Sequence, residues 1–184
     1  MSACQNGAVY RHLSQKQRTS SYNLLPMKPK NKKTKATKIK TFKEAVEATP
    51  DIAKCYQSGL QGLGKYSNKV ELTDNRQCSG SIDIDAYTTA LYPQSNRWDY
   101  ALCYESKVYF VEVHSANTSE ISTVLKKFQW LKDWLNEHAP EINKLKAATP
   151  YYWVQTSGFS IPKQSSQYRQ VIKAGLRPVA KLVL

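Results

Sequence analysis

WDYALCYESKVYFVEVH, residues 98–114, is the stretch on which the fold turns. Two runs rich in β-branched and aromatic residues, Trp98–Tyr104 and Val108–His114, flank Glu105, Ser106 and Lys107, which predicts a β-hairpin. Along the second run alternate side chains share a face, so Val108, Phe110, Glu112 and His114 lie on one side and Tyr109, Val111 and Val113 on the other. A two-residue turn at Glu105–Ser106 places Asp99 directly across from Glu112; a three-residue turn places it across from Val113. In the tighter register the Cβ atoms of two carboxylate side chains stand roughly 5 Å apart on one face, which is repulsive unless a cation or a shared proton lies between them. A divalent ion resolves the repulsion most simply. The apolar character of VYFVEV predicts burial on both faces, where a carboxylate needs a partner.

Outward from the hairpin the pattern alternates between helix and strand. Upstream, Thr41 and Glu44 form a capping box into FKEAVEA, and Thr49-Pro50 predicts a second helical start over Asp51 to about Leu60. Ile82 and Ile84 alternate with Asp83 and Asp85 as in a strand. Downstream, Asn117 with Glu120 opens a long helix whose residues Ile121, Val124, Leu125, Phe128, Leu131, Trp134 and Leu135 share a face, ending before Pro140. A short helix over Glu141–Leu145, a strand at Tyr151–Gln155, a helix over Gln167–Ala174 and a strand over Val179–Leu184 follow. The order predicts an α/β (α+β) domain, a mixed sheet flanked by helices. Trp130 and Trp134 read as helix-packing residues, and Tyr151, Tyr152 and Trp153 as part of a buried strand.

The chain has 184 residues, 41% of them hydrophobic, enough for one core. Its net charge is +13, yet residues 1–43 hold 11 of the 27 Lys and Arg and none of the 14 Asp and Glu. The positive field therefore sits in a leader, residues 1–40, whose Lys28, Lys30, Lys32, Lys33, Lys35, Lys38 and Lys40 read as an arm for phosphate backbones, a solubilising tail or a targeting signal. Residues 41–184 form the domain. No window approaches the roughly 18 apolar residues of a membrane span, and no secretory apolar run opens the chain, so a cytoplasmic protein is expected. Cys4, Cys55, Cys78 and Cys103 lack metal or disulfide spacing. P-loop, GxGxxG and GxSxG motifs are absent, which gives nucleotide-driven and acyl-transfer chemistry no foothold.

The hairpin, with its strand and helix context, resembles the PD-(D/E)XK nuclease superfamily, in which an Asp opens one strand and Glu-x-Lys lies on the next. It is most similar to the Glu-x-His branch, as in the small catalytic subunit of heterodimeric type IIS restriction endonucleases. The resemblance covers residues 41–184 as a restriction-endonuclease-like αβββαβ core. It implies that Asp99, Glu112 and His114 are catalytic. It further implies that Asp99, Glu112 and the Val113 carbonyl bind Mg²⁺ or Mn²⁺, with a third carboxylate from Asp85 or Glu47, Asp85 preferred.

His114 stands where lysine is usual, and a neutral imidazole can take the proton of an attacking water. Lys126 or Lys127 on the long helix supplies the missing amine, or the two face phosphate. The implied activity is metal-dependent hydrolysis of DNA phosphodiester bonds. Residues 41–184 leave no room for a separate base-reading module, so a second subunit or a homodimer is expected to supply specificity. A binding protein that retains the fold without the chemistry is the alternative reading, and an interaction module using Trp130 a third.

Overall fold

The structure is a computed structural model that describes residues 41–159 and 161–184. The leader, with Lys28, Lys30, Lys32, Lys33, Lys35, Lys38, Lys40 and Cys4, lies outside the described residues. In chain order the elements are α1 (Phe42–Glu47), β1 (Val70–Glu71), β2 (Cys78–Asp83), α2 (Ile84–Thr88), β3 (Tyr100–Tyr104), β4 (Lys107–Ala116), α3 (Ile121–Glu137), α4 (Pro140–Lys144), β5 (Lys146–Phe159), α5 (Ser166–Ala174), β6 (Arg177–Val179) and β7 (Leu182–Val183). Short 3₁₀ segments span Pro50–Ile52, Gln61–Lys69, Asn75–Gln77 and Thr118–Glu120.

Five strands form a mixed sheet in the order β2-β3-β4-β5-β6. The β2/β3 and β3/β4 pairs are antiparallel, whereas β4/β5 and β5/β6 are parallel. The parallel β4/β5 pair needs a crossover, and α3 with α4 provides it. One sheet face presents Val108, Phe110 and Trp153 to a core completed by Phe42 and Val46 of α1, by Val124, Phe128 and Leu131 of α3, and by Val171 of α5. The other presents Val111, Val113 and Val154 to Leu63, Val70 and Leu182. β4 is thus apolar on both faces because both are covered, and each fully buried large side chain there contributes about 1.5–3 kcal/mol.

The predicted turn and register of the hairpin hold. Tyr100 pairs with Val111 and Tyr104 with Lys107, leaving Glu105 and Ser106 as a two-residue turn. Both adopt positive φ, 48° and 61°, the primed turn whose twist matches the flanking strands. At α1 the capping box is present in both directions. The described cysteines, Cys55, Cys78 and Cys103, are free and buried.

Four elements differ from expectation. The helix expected over Asp51–Leu60 is a single 3₁₀ turn, Pro50–Ile52, after which Gln57 bridges Ser81 on β2 through two backbone hydrogen bonds of 3.0 and 2.8 Å. Satisfying the open edge of β2 outweighs continuing a short helix. Gly62 then crosses so closely over β2 that a Cβ there would lie 2.6 Å from the Ser81 carbonyl carbon. The alternation Ile82-Asp83-Ile84-Asp85 does not continue as strand, because the Asp83 side chain accepts from the Ala86 N–H at 2.8 Å and starts α2, taking Asp85 into its first turn.

The long helix begins with a 3₁₀ turn at Thr118–Glu120 and no side-chain cap from Asn117, and the Glu120 carboxylate, expected in a capping box, is engaged by His114 instead. The terminal strand is split. β6 joins the main sheet, while β7 pairs in parallel with β1 in a separate two-stranded sheet, with Lys181 and Glu71 in an ion pair beside it. Among the described residues no helix is long and apolar enough to cross a membrane.

Candidate active site

Asp99 immediately precedes β3, one residue beyond the last register pair, and the hairpin carries it to Glu112. The two are tied through the backbone. Asp99 N–H donates to Glu112 Oε2 at 3.3 Å, and Val113 N–H donates to Asp99 Oδ2 at 2.9 Å. Helix α3 then lays Lys127 across the pair, its ammonium donating to Asp99 Oδ1 at 2.7 Å and to Glu112 Oε1. Glu112 is fully buried, and the side chains of Asp99 and Lys127 are each 17% exposed.

Fully ionised, this trio carries one negative charge in excess in a place where water screens little. Burial pushes the Glu112 carboxyl up to about 8, with the charge of Asp99 adding and Lys127 opposing. Burial pulls the Lys127 ammonium down, but the attraction of Glu112 and Asp99 outweighs it and leaves the group above its ordinary range. The surroundings are acidic too. The Asp83 carboxyl is raised by burial first and then by the charges of Asp85 and Asp99, and the Tyr100 hydroxyl by burial and then by Asp83 and Asp99. The centre is a field that favours an additional cation.

His114 continues the same face of β4 two residues on, and its Nε2 lies 2.8 Å from Glu120 Oε2, in the turn that leads into α3. When Nε2 carries the proton and donates it to Glu120, Nδ1 carries the free lone pair, as a base with an orienting carboxylate requires. The His114 backbone carbonyl accepts from Trp153 Nε1 at 3.2 Å, which fixes the strand beneath the ring.

The expected third carboxylates go elsewhere. Asp85, displaced from the strand by the cap at Asp83, accepts from Arg97 Nε at 2.8 Å. Glu47 sits on the exposed side of α1, 3.9 Å from Lys43. Among the described residues no group of three His, Cys, Asp or Glu side chains converges on one point. The two neighbouring lysines separate. Lys126 is exposed and lines an open cleft of about 460 Å³ between α3 and α5, whereas Lys127 is turned onto the carboxylates. A signal for this lay in the periodicity: Lys127 is three residues after Val124 and four before Leu131, on the apolar stripe, and Lys126 is not. The link from Glu120 to His114 had no comparable signal, since Glu120 also fits a capping box.

The donor set suits a hard divalent ion. Each of the four oxygens of Asp99 and Glu112 accepts one hydrogen bond, from Lys127, Val113 or Asp99, and a carboxylate oxygen has a second lone pair to offer. Oxygen ligands from two carboxylates, with water and phosphate filling the other positions, are the usual environment of Mg²⁺. Compared with protein-family models, curated proteins and solved structures, the chain matches none.

Proposed function

We propose that the protein is a divalent-metal-dependent endonuclease acting on DNA, with a PD-(D/E)XK-like core. The observation that carries this reading is the buried set of two carboxylates and one lysine held on a hairpin and the helix behind it. With the short elements β1, α2 and α4 set aside as insertions, the order α1, β2, β3, β4, α3, β5 supports the same αβββαβ core. Charge supports it as well. The excess negative charge of Asp99, Glu112 and Lys127, the two positive charges of Mg²⁺ or Mn²⁺ and the one negative charge of a phosphodiester sum to zero in a low-dielectric site.

Asp99 and Glu112, with the Val113 carbonyl, hold the cation, which when bound supplies Lewis-acid charge to the phosphate and acidifies water. Lys127 donates two N–H groups to the carboxylates in its resting position, and an ammonium with three donors can turn one toward a non-bridging phosphate oxygen as negative charge grows there. His114, oriented by Glu120, accepts a proton from the attacking water. The water oxygen forms a bond to phosphorus, one P–O ester bond breaks, and the departing oxygen takes a proton from solvent while His114 returns its own to solvent, leaving a phosphate monoester and a hydroxyl. In this reading Lys127 occupies the role that His114 leaves vacant in the hairpin motif. Lys126 and the basic leader contribute phosphate contacts, and a second subunit or a homodimer supplies sequence recognition.

One observation favours a second reading. Lys127 satisfies both carboxylates by itself, as in a purely structural ion cluster, and a DNA-binding protein without hydrolytic chemistry would carry the same bonds.

Cleavage of supercoiled plasmid with Mg²⁺, Mn²⁺ or EDTA separates the two. Nicking that requires metal and falls by about 10³-fold or more in Asp99→Ala and Glu112→Ala is expected, with His114→Ala down by about 10²-fold. Retention of DNA by folded wild type with no cleavage in any metal would overturn the hydrolytic reading in favour of the second.

A further inference from the structure

The β4/β5 register places Gln155 beside His114, one pair beyond Glu112 and Trp153. Paired residues on adjacent strands share a face, so Gln155 lies on the face of Glu112 and His114, about 4.8 Å away across the sheet from His114. Its side-chain carbonyl oxygen is shielded from solvent and has no hydrogen-bond partner in the protein. A buried acceptor left unpaired opposes folding, and native proteins keep few of them. The only comparable atom among the described residues is the indole N–H of Trp98, which is sealed in the core against Phe128.

Gln155 differs from Trp98 in being part-exposed and at the end of the sheet where the charged centre lies. Its main chain is also pinned, since Lys69 Nζ donates to the carbonyls of Gln155 at 2.8 Å and of Thr156 at 3.1 Å. The backbone is held firmly while the carboxamide oxygen remains unpaired.

Resting on the hydrolytic reading above, we propose that Gln155 is a positioning residue for the nucleophilic water. Water has two protons to place. One goes to His114 as the oxygen attacks phosphorus, and the other is held by the Gln155 carbonyl once its carboxamide turns out of its shielded position, which fixes the oxygen lone pair along the line of attack. Glu120 orients the base and Lys69 the strand that carries the acceptor.

The test compares wild type, Gln155→Met and Gln155→Glu in two measurements, steady-state cleavage of a labelled DNA duplex with Mn²⁺ and thermal melting in EDTA. For Gln155→Met a fall in kcat of about a hundredfold with KM within about twofold is expected. Its melting temperature should be unchanged or higher, because the unpaired acceptor is gone. Gln155→Glu keeps an acceptor oxygen and should recover about tenfold of the lost rate, increasingly as pH rises and the new carboxyl ionises.

A raised KM with kcat intact would make Gln155 a DNA contact and overturn the proposal. A lowered melting temperature accompanying the rate loss would make it a packing residue and do the same. Cleavage that depends on Asp99 and Glu112 but is indifferent to Gln155→Met would sink this inference and leave the nuclease reading standing. Absence of cleavage by folded wild type would remove both.

Discussion

Helix α3 is anchored at two polar clusters, and they are built on opposite principles. At its far end one carboxylate, Asp51, accepts from the Tyr92 hydroxyl at 2.7 Å and from Trp134 Nε1 at 2.9 Å, with His138 Nδ1 3.2 Å from the same hydroxyl. One negative charge meets neutral donors and is satisfied without a second ion. Toward its beginning two carboxylates share the single ammonium of Lys127, and the excess charge is held in place by backbone N–H groups. The first cluster is what a fold needs to dock a helix. The second keeps like charges together at a cost, which is the arrangement expected where a further cation and a phosphate complete the balance.

Removing the one cation of the charged cluster gives the sharpest contrast. Lys127→Met leaves Asp99 and Glu112 facing each other unpaired, and at pH 9 without metal it should cost about 3–5 kcal/mol of unfolding free energy. Millimolar Mn²⁺ should restore most of that loss, because a divalent ion bound only by the folded state stabilises it. Denaturant titration with and without Mn²⁺ reads both effects, and a loss that Mn²⁺ leaves untouched would erase the distinction between the clusters.

The next effect is the pH dependence of the charged cluster. Burial and Asp99 raise the Glu112 carboxyl to about 8, so on the proposed reading protons should compete with the cation below that pH. Cleavage at subsaturating Mg²⁺ should rise about tenfold per pH unit up to about 8 and then level, with the rising limb moving to lower pH as Mg²⁺ increases.

Stability runs the other way. A carboxyl raised in the folded state binds more protons there than in the unfolded chain, so its contribution is complete at acid pH and is lost as pH rises through about 8. Glu112→Gln should flatten this fall in metal-free protein. A wild-type stability profile as flat as that of Glu112→Gln would refute the coupling.

The smallest effect belongs to the neutral-donor cluster. Asp51→Asn can keep both hydrogen bonds, since both end on Oδ2, and loses only the charge, so it should cost about 1 kcal/mol or less, with plasmid cleavage unchanged. Calorimetry beside the nicking assay checks this, and a loss of cleavage at constant stability would place Asp51 in the chemistry.

The hairpin shows how far local patterning reaches. Alternation in VYFVEVH together with the two-residue turn was sufficient to put Glu112 and His114 on one face and Asp99 across from Glu112. The same rule failed at Asp85, where a local side-chain cap at Asp83 ended the strand two residues early. The helical start read at Thr49-Pro50 misled as well, because the open edge of β2 drew Gln57 out of a helix. Both failures are competitions between two satisfactory uses of the same backbone groups, decided by which neighbour was at hand.

By itself, then, the amino-acid sequence determined the hairpin, the apolar stripe of α3, the mixed sheet with helices and the facing pair of carboxylates, because each follows from periodicity over a few residues. Tertiary structure alone decided that the apolar stripe of α3, which carries Lys127 and not Lys126, crosses over those carboxylates, that Glu120 turns to His114 instead of capping α3, and that Gln155 stands beside that histidine. These pairings depend on how α3 crosses the sheet and on the parallel register of β4 with β5, contacts between residues far apart in the chain. The depth of a buried charge, and so its partner, is a property of the packed layers and not of any one segment.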